Sequence, residues 1–86
     1  MGYKILEKTA RGSKELYVED DKKNGKHRIV VSYFNRDGYI IPFSEFVCFE
    51  SGDRLHSIID TMVKAGSEVK IYCDSGKEVD LRTVTF

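Results

Sequence analysis

The chain has 86 residues, enough for one domain and too few for a second hydrophobic core. Its content of 41% hydrophobic and 33% charged residues is typical of a folded protein and argues against disorder. The 14 basic and 14 acidic side chains cancel, which argues against a strongly basic polyanion binder, and no apolar run approaches the roughly 20 residues that cross a bilayer.

The first part of the sequence predicts three antiparallel strands. Residues 3–9 form the first, and residues 15–21 alternate apolar and polar side chains, which is typical of a strand with one buried face. Asn24-Gly25 favours a two-residue hairpin turn, because both residue types accept positive φ angles. A hairpin closed there aligns three favourable pairs, namely Val18 with Val31, Leu16 with Tyr33 and Asp21 with Arg28.

A second reversal signal, Asp37-Gly38, predicts that the chain returns into a fourth strand over residues 39–43. The apolar run at residues 46–49 either ends a bent strand or forms a strand that is buried on both faces.

Residues 51–65 predict an amphipathic helix. Ser51 suits the N-cap, and Gly66 suits the left-handed exit. Apolar side chains recur at helical spacing on a single stripe, formed by Leu55, Ile58, Ile59, Met62 and Val63.

Two strands follow the helix. Val69 and Ile71 alternate with polar residues, residues 74–77 form a turn, and a final strand runs over residues 79–86 with a bulge near Thr83. The predicted fold class is therefore α+β, a curved antiparallel sheet of order β-β-β-β-α-β-β with a single helix packed on one face. It forms one domain that spans residues 1–86.

The apolar side chains of the predicted sheet exceed what one helix can cover. The second face must be exposed, covered by the C-terminal hairpin or buried against another chain. We therefore expect a binding protein whose partner is another protein or a second copy of the chain, in a homo-oligomer. The candidate interface residues are Tyr17, Phe34, Tyr39, Phe43 and Phe86, the last on a strand suited to join a partner's sheet.

A module that binds single-stranded DNA or RNA is the alternative. Basic side chains neutralise phosphates, and aromatic side chains of the hairpin over residues 17–43 offer stacking surfaces for unpaired bases. The neighbouring Asp20 and Asp21 weaken this interpretation, because they partly cancel the lysines. The candidate nucleic-acid-binding residues are Lys22, Lys23, Lys26, His27, Arg28 and Arg36.

The sequence predicts no enzyme, no cofactor and no metal site. It lacks a phosphate-binding glycine loop and the common catalytic motifs. Asp53, His56 and Asp60 share one helix face, which without a ligand from a second element makes a poor metal site. Cys48 and Cys73 are expected to be reduced thiols, and with an N-terminus that lacks the apolar core of a secretory signal they indicate the cytoplasm.

The order of four strands and a helix over residues 3–65 resembles that of the single-strand-binding coactivator and Pur-repeat folds. A small α+β domain without motifs also resembles the accessory proteins of bacteriophages, many of which bind and inhibit a host protein. The first resemblance implies single-strand binding, and the second implies an inhibitor that acts through a protein interface.

Overall fold

The computed structural model describes residues 2–86 and shows an antiparallel sheet of six strands with one α-helix, α1 (Gly52–Lys64). The strands are β1 (Gly2–Thr9), β2 (Gly12–Lys23), β3 (Lys26–Phe34), β4 (Phe46–Ser51), β5 (Glu68–Cys73) and β6 (Glu78–Val79). In space their order is β4-β3-β2-β1-β5-β6, so β4 and β6 are the two edges. The predicted class and order of elements are confirmed.

Helix α1 forms where the apolar stripe predicts it. The hydroxyl of Ser51 accepts a hydrogen bond from the backbone N–H of Arg54 at 3.2 Å, and Gly66 leaves the helix with a φ of +88°. The buried members of the stripe pack against the sheet, and they are Leu55, Ile59 and Met62.

The core lies between α1 and one face of the sheet. Directly opposite residues of antiparallel strands point to the same face. The register therefore defines a row that crosses the whole sheet, from Val79 through Ile71, Ile5, Leu16 and Val31 to Phe46. The central four members are buried, whereas Phe46 on the β4 edge is 47% exposed. Burial along this row therefore stops short of β4, although Cys48 of β4 packs against the core.

The predicted Asn24-Gly25 hairpin is confirmed, with φ angles of 56° and 75° at the two turn residues. The pairs next to the turn are those expected, but the pairs farther from it are shifted by two residues, to Val18 with Ile29 and Leu16 with Val31. A bulge in β2 between Val18 and Lys22 absorbs the two extra residues. Because the shift is even, each side chain keeps its face.

A buried histidine accompanies this bulge. His27 is 2% exposed, and its Nδ1 lies 2.7 Å from the backbone carbonyl oxygen of Glu19, within the bulged stretch. Arg28 then donates from Nη1 to the carboxylate of Glu19 at 2.8 Å. The imidazole thus supplies a hydrogen-bond donor to the Glu19 carbonyl, which the bulge removes from the regular backbone hydrogen bonding between β2 and β3.

Two segments differ from the predicted strands. Residues 39–43 form a loop that joins β3 through one bridge, between Phe34 and Ile40, and β4 occupies the apolar run that follows. The final strand is only β6, after which a short 3-10 helix (Leu81–Thr83) turns the chain so that Val84 and Phe86 enter the core at 7% exposure each.

Candidate functional site

Exposed apolar side chains concentrate on one edge of the sheet. Of the nine large apolar side chains that are exposed between residues 2 and 86, seven lie within residues 39–49, on β4 and on the loop before it. We call these seven side chains the apolar edge, and they are Tyr39, Ile40, Ile41, Phe43, Phe46, Val47 and Phe49. These seven are most of the large apolar side chains that the fold leaves exposed within residues 2–86, and a concentration of exposed apolar side chains marks an interaction site.

The loop that carries the first four of these side chains is held by hydrogen bonds. The side-chain oxygen of Asn35 accepts from the backbone N–H groups of Asp37 and Tyr39 at 2.9 and 3.0 Å. The backbone N–H of Ile41 donates to the carbonyl of Tyr33 at 2.8 Å, which attaches the loop to the end of β3. The apolar side chains are therefore presented outward by an ordered backbone.

Phe43 occupies an unusual backbone position. It is the third residue of a turn that is closed by a 3.2 Å hydrogen bond from Ser44 N to Ile41 O, with Pro42 in the second position. Its φ is +62°, in the left-handed region that turns usually fill with glycine or asparagine. Its side chain is fully exposed. Neither the backbone nor burial within the chain favours phenylalanine there.

An aromatic pair stiffens the corner where β3 and β4 meet. The rings of Tyr33 and Phe46 stack with their centroids 6.4 Å apart and their planes at 28°. The Nζ of Lys14 lies 5.9 Å from the centroid of the Tyr33 ring, within range of a cation–π contact. Phe46 is thus positioned by its neighbours although about half of it is exposed.

Tyr17 and Phe34 lie on the face opposite α1, and both are half-buried. This face is more polar at its centre than the sequence indicates, since a Lys4–Glu15 ion pair of 3.8 Å crosses it. The Tyr17 hydroxyl lies 3.4 Å from Oδ1 of Asp74, whose negative charge raises the pKa of the phenol. The apolar excess therefore lies at the β4 edge rather than over the open face.

Phe86 differs from its predicted role, because it belongs to the core. Its ring makes edge-on contacts with Tyr3, His56 and His27 at centroid distances of 5.5, 4.9 and 6.3 Å. A Cβ atom built on Gly52 lies only 2.5 Å from the Phe86 carbonyl oxygen, so the first residue of α1 also packs on it closely. In this fold the side chain is closed off from a partner.

The six predicted nucleic-acid-binding residues are separated. Lys23 and Lys26 stay together at the hairpin turn and, with Phe49, line a shallow pocket of about 290 Å³. The other four are placed differently: Lys22 donates from Nζ to the Phe86 carbonyl at 3.0 Å, His27 is buried, Arg28 is paired with Glu19, and Arg36 lies in the turn after β3.

The two thiols are free and lie on different strands, Cys48 on β4 and Cys73 at the end of β5. Burial, with a smaller effect of the Glu50 charge, raises the pKa of Cys48. A 2.9 Å hydrogen bond to the Ser75 hydroxyl lowers the pKa of Cys73. Within residues 2–86 no group of three histidine, cysteine or acidic side chains is placed to hold a metal ion. No helix in that range has the length and apolar character to cross a membrane.

Sequence reasoning missed five members of the apolar edge, namely Ile40, Ile41, Phe46, Val47 and Phe49. The signal that identifies three of them is the continuous apolar run at residues 46–49. A strand without alternation is apolar on both faces, and when it lies at the edge of a sheet neither face is fully covered.

Comparison of the chain with protein-family models, with curated proteins and with solved structures gives no match. The resemblances noted from the sequence therefore concern the order of elements and the size of the domain alone.

Proposed function

We propose that the protein is a small non-enzymatic binding module that takes up an extended segment of another polypeptide along β4. The observation that carries this proposal is the apolar edge, seven exposed apolar side chains on and beside an edge strand whose outer side has no neighbouring strand. An edge strand of this kind is a template for a further strand, in which backbone hydrogen bonds give affinity and the alternate side chains give specificity.

The energy available at this edge fits a binding site. Phe46, Val47 and Phe49 are 47%, 45% and 53% exposed. Covering the exposed half of each side chain contributes about 1 kcal/mol, and each backbone hydrogen bond formed with an added strand contributes about 0.5–1.5 kcal/mol net. Contacts made by the loop before β4 add to this sum.

Phe43 supports the same proposal from a different direction. A left-handed conformation costs a non-glycine residue about 1–2 kcal/mol, and Phe43 gains no burial in return. Strained residues of this kind cluster at binding sites, where another molecule supplies the contacts that the fold does not.

A matched pair of valines tests the proposal. Val47 lies in the apolar edge at 45% exposure, and Val63 lies on α1 at 51% exposure. The protein is immobilised, random peptides displayed on phage are selected on it, and the selected peptides are then measured against Val47→Lys and Val63→Lys. We expect peptides with alternating apolar residues that bind Val63→Lys like the wild type and Val47→Lys at least about tenfold more weakly, a loss of about 1.4 kcal/mol.

The Phe43→Asn variant adds a readout of the opposite sign. Asparagine tolerates positive φ, so this variant should be as stable as the wild type or up to about 1 kcal/mol more stable, while it binds the selected peptides more weakly. Peptides that bind the wild type and Val47→Lys equally, or a selection that yields no Val47-dependent peptide, would contradict the proposal.

An inhibitor of a host protein, the role implied by the resemblance to phage accessory proteins, acts in this proposal through the same edge, and its target supplies the added segment. The free thiols of Cys48 and Cys73 fit action in the reducing cytoplasm.

A second candidate function, single-stranded nucleic-acid binding, is favoured by one observation. Lys23 and Lys26 flank the exposed ring of Phe49 around the 290 Å³ pocket, which places phosphate-binding charges beside a surface for stacking. The test is fluorescence anisotropy with a labelled oligonucleotide at two salt concentrations. If this function holds, binding weakens steeply with salt, and the combined Lys22→Glu, Lys23→Glu and Lys26→Glu variant no longer binds. Unchanged affinity in that variant excludes it.

A further inference from the structure

The backbone of β4 exposes a defined set of hydrogen-bonding groups. The backbone carbonyl of Tyr33 accepts a hydrogen bond from the backbone N–H of Ile41 at 2.8 Å, and the backbone N–H of Tyr33 donates one to the Ser44 hydroxyl at 3.4 Å. The backbone groups of Tyr33 therefore point to the β4 side of β3. Backbone groups alternate in direction along a strand. The residues of β3 that bond to β4 are therefore Val31, Ile29 and His27, opposite Phe46, Cys48 and Glu50.

It follows that Val47 and Phe49 point their N–H and C=O groups away from β3, off the edge of the sheet. Both side chains lie on the face opposite α1 and are about half exposed. The free backbone groups and the exposed apolar side chains thus belong to the same two residues, spaced as an added antiparallel strand requires.

We infer that the segment that binds this edge is β4 of a second copy of the chain, paired antiparallel about a two-fold axis that passes between the two copies of Cys48. The inference rests on the proposed use of the apolar edge. A two-fold axis perpendicular to the sheet leaves each side chain on the face that it occupies. Because directly opposite residues of antiparallel strands share a face, the axis must pass between the two copies of one residue. With Cys48 on the axis, Val47 exchanges both backbone hydrogen bonds with the partner's Phe49, and Phe49 does so with the partner's Val47.

The side chains along this seam are complementary. On the face opposite α1, valine meets phenylalanine on each side of the axis. On the α1 face, the two Cys48 side chains meet, and Phe46 lies opposite the partner's Glu50, so no like charges are directly opposed. Moving the axis by one residue, to Val47, places Glu45 opposite the partner's Phe49, so that it no longer lies opposite the partner's Ser51, which pairs with Lys26.

The ends of the seam bring opposite charges together. In the register centred on Cys48, Glu45 lies opposite the partner's Ser51. Within one copy, Ser51 pairs with Lys26 of β3, and its hydroxyl caps the N-terminus of α1. The carboxylate of Glu45, which accepts a hydrogen bond from the Ser32 hydroxyl at 3.3 Å within its own copy, therefore faces the partner's Lys26 across the partner's Ser51 at both ends of the pair, which favours this register over its neighbours.

The opposite edge of the sheet limits the assembly to two copies. Strand β6 has only Glu78–Val79, and the chain then turns into a 3-10 helix. Such a short edge is a poor template for a further strand. Pairing through β4 alone is isologous, and it closes on itself instead of extending into a filament.

Sedimentation equilibrium of the full chain over a wide concentration range tests the pairing, with Val47→Pro and Val47→Thr as a matched pair. Proline removes the outward N–H, whereas threonine keeps it with a similar shape. We expect a monomer–dimer equilibrium for the wild type and for Val47→Thr, and a dissociation constant at least about tenfold higher for Val47→Pro, since both copies lose a donor. A Val47→Pro protein that dimerises as tightly as the wild type overturns the inference.

Cross-linking tests the register, and it stays decisive if Val47→Pro does not fold. In the Cys73→Ser protein, a short thiol-to-thiol cross-linker should join the two copies through Cys48, because Cβ atoms of such a pair lie about 4.5–5.5 Å apart. If Cys48 reacts with a monofunctional reagent but no covalent dimer forms, the proposed register is wrong. A wild type that stays monomeric while Val47-dependent peptides still bind refutes the second copy and leaves the proposed function standing.

Discussion

Replacing Phe86 by alanine should destabilise the fold rather than weaken binding to a partner. The ring is 7% exposed and contacts the rings of Tyr3, His27 and His56. Its backbone carbonyl accepts a hydrogen bond from Lys22. Removal of the ring therefore opens a cavity among three aromatic neighbours at the end of the sheet where α1 begins.

Large-to-small replacement of a core phenylalanine costs about 3–5 kcal/mol. A chain of 86 residues has a total unfolding free energy of about 4–13 kcal/mol, so Phe86→Ala removes a large share of it. The matched control is Phe43→Ala, which changes the same residue type at a fully exposed position and should alter stability by no more than about 0.5 kcal/mol.

Urea unfolding followed by far-ultraviolet circular dichroism measures this difference. With m values of about 1–3 kcal/mol/M, a loss of about 3 kcal/mol lowers the midpoint by about 1–3 M. Measurement at two protein concentrations separates any contribution of self-association. If Phe86→Ala and Phe43→Ala unfold at the same urea concentration, the ring does not support the core, and its assignment to the core is refuted.

Gly52→Ala should lower the melting temperature, because the added Cβ would lie 2.5 Å from the Phe86 carbonyl oxygen. This effect opposes the helix propensity of alanine, which is better than that of glycine by about 1 kcal/mol. A variant with a higher melting temperature would show that the contact relaxes freely. Cys73 should be alkylated before Cys48 at pH 8, since the Ser75 hydrogen bond lowers the pKa of Cys73 whereas burial raises the pKa of Cys48. Mass spectrometry of the digested protein measures both rates, equal rates would contradict the assignment, and Ser75→Ala should slow Cys73 alone.

Local signals in the sequence were sufficient for the helix and for the first hairpin. Ser51 and Gly66 mark the two ends of the helix that carries the apolar stripe. Asn24-Gly25 supplies the positive φ angles that a two-residue turn needs. Each of these features is decided by a few neighbouring residues, which is why the sequence alone predicts it.

The register of the β2–β3 pair depends on a contact that no local pattern encodes. His27 bonds to the carbonyl of Glu19 across the hairpin, within the bulge that shifts every later pair by two residues. A histidine beside three lysines reads as part of a basic surface cluster. Only the fold shows that it points inward.

The position of the apolar edge was also only partly predictable. Tyr39 and Phe43 were expected at an interface, and both are exposed. The expected strand over residues 39–43 is a loop, because β4 pairs with β3 through residues 46–51 instead. A continuous apolar run gives no period from which to assign a face or an edge, so its exposure follows from the strand order and not from its composition.

The bulge in β2 has a consequence for how this chain tolerates insertions and deletions. Side chains along a strand repeat every two residues, so an even change in length between Val18 and Lys22 returns the following residues in phase, whereas an odd change inverts the inside and outside of all that follows. Deletion of two residues from the segment Glu19-Asp20-Asp21 should therefore shorten the strand and leave the later side chains on their faces. Deletion of one residue should move the later side chains of the strand to the opposite face.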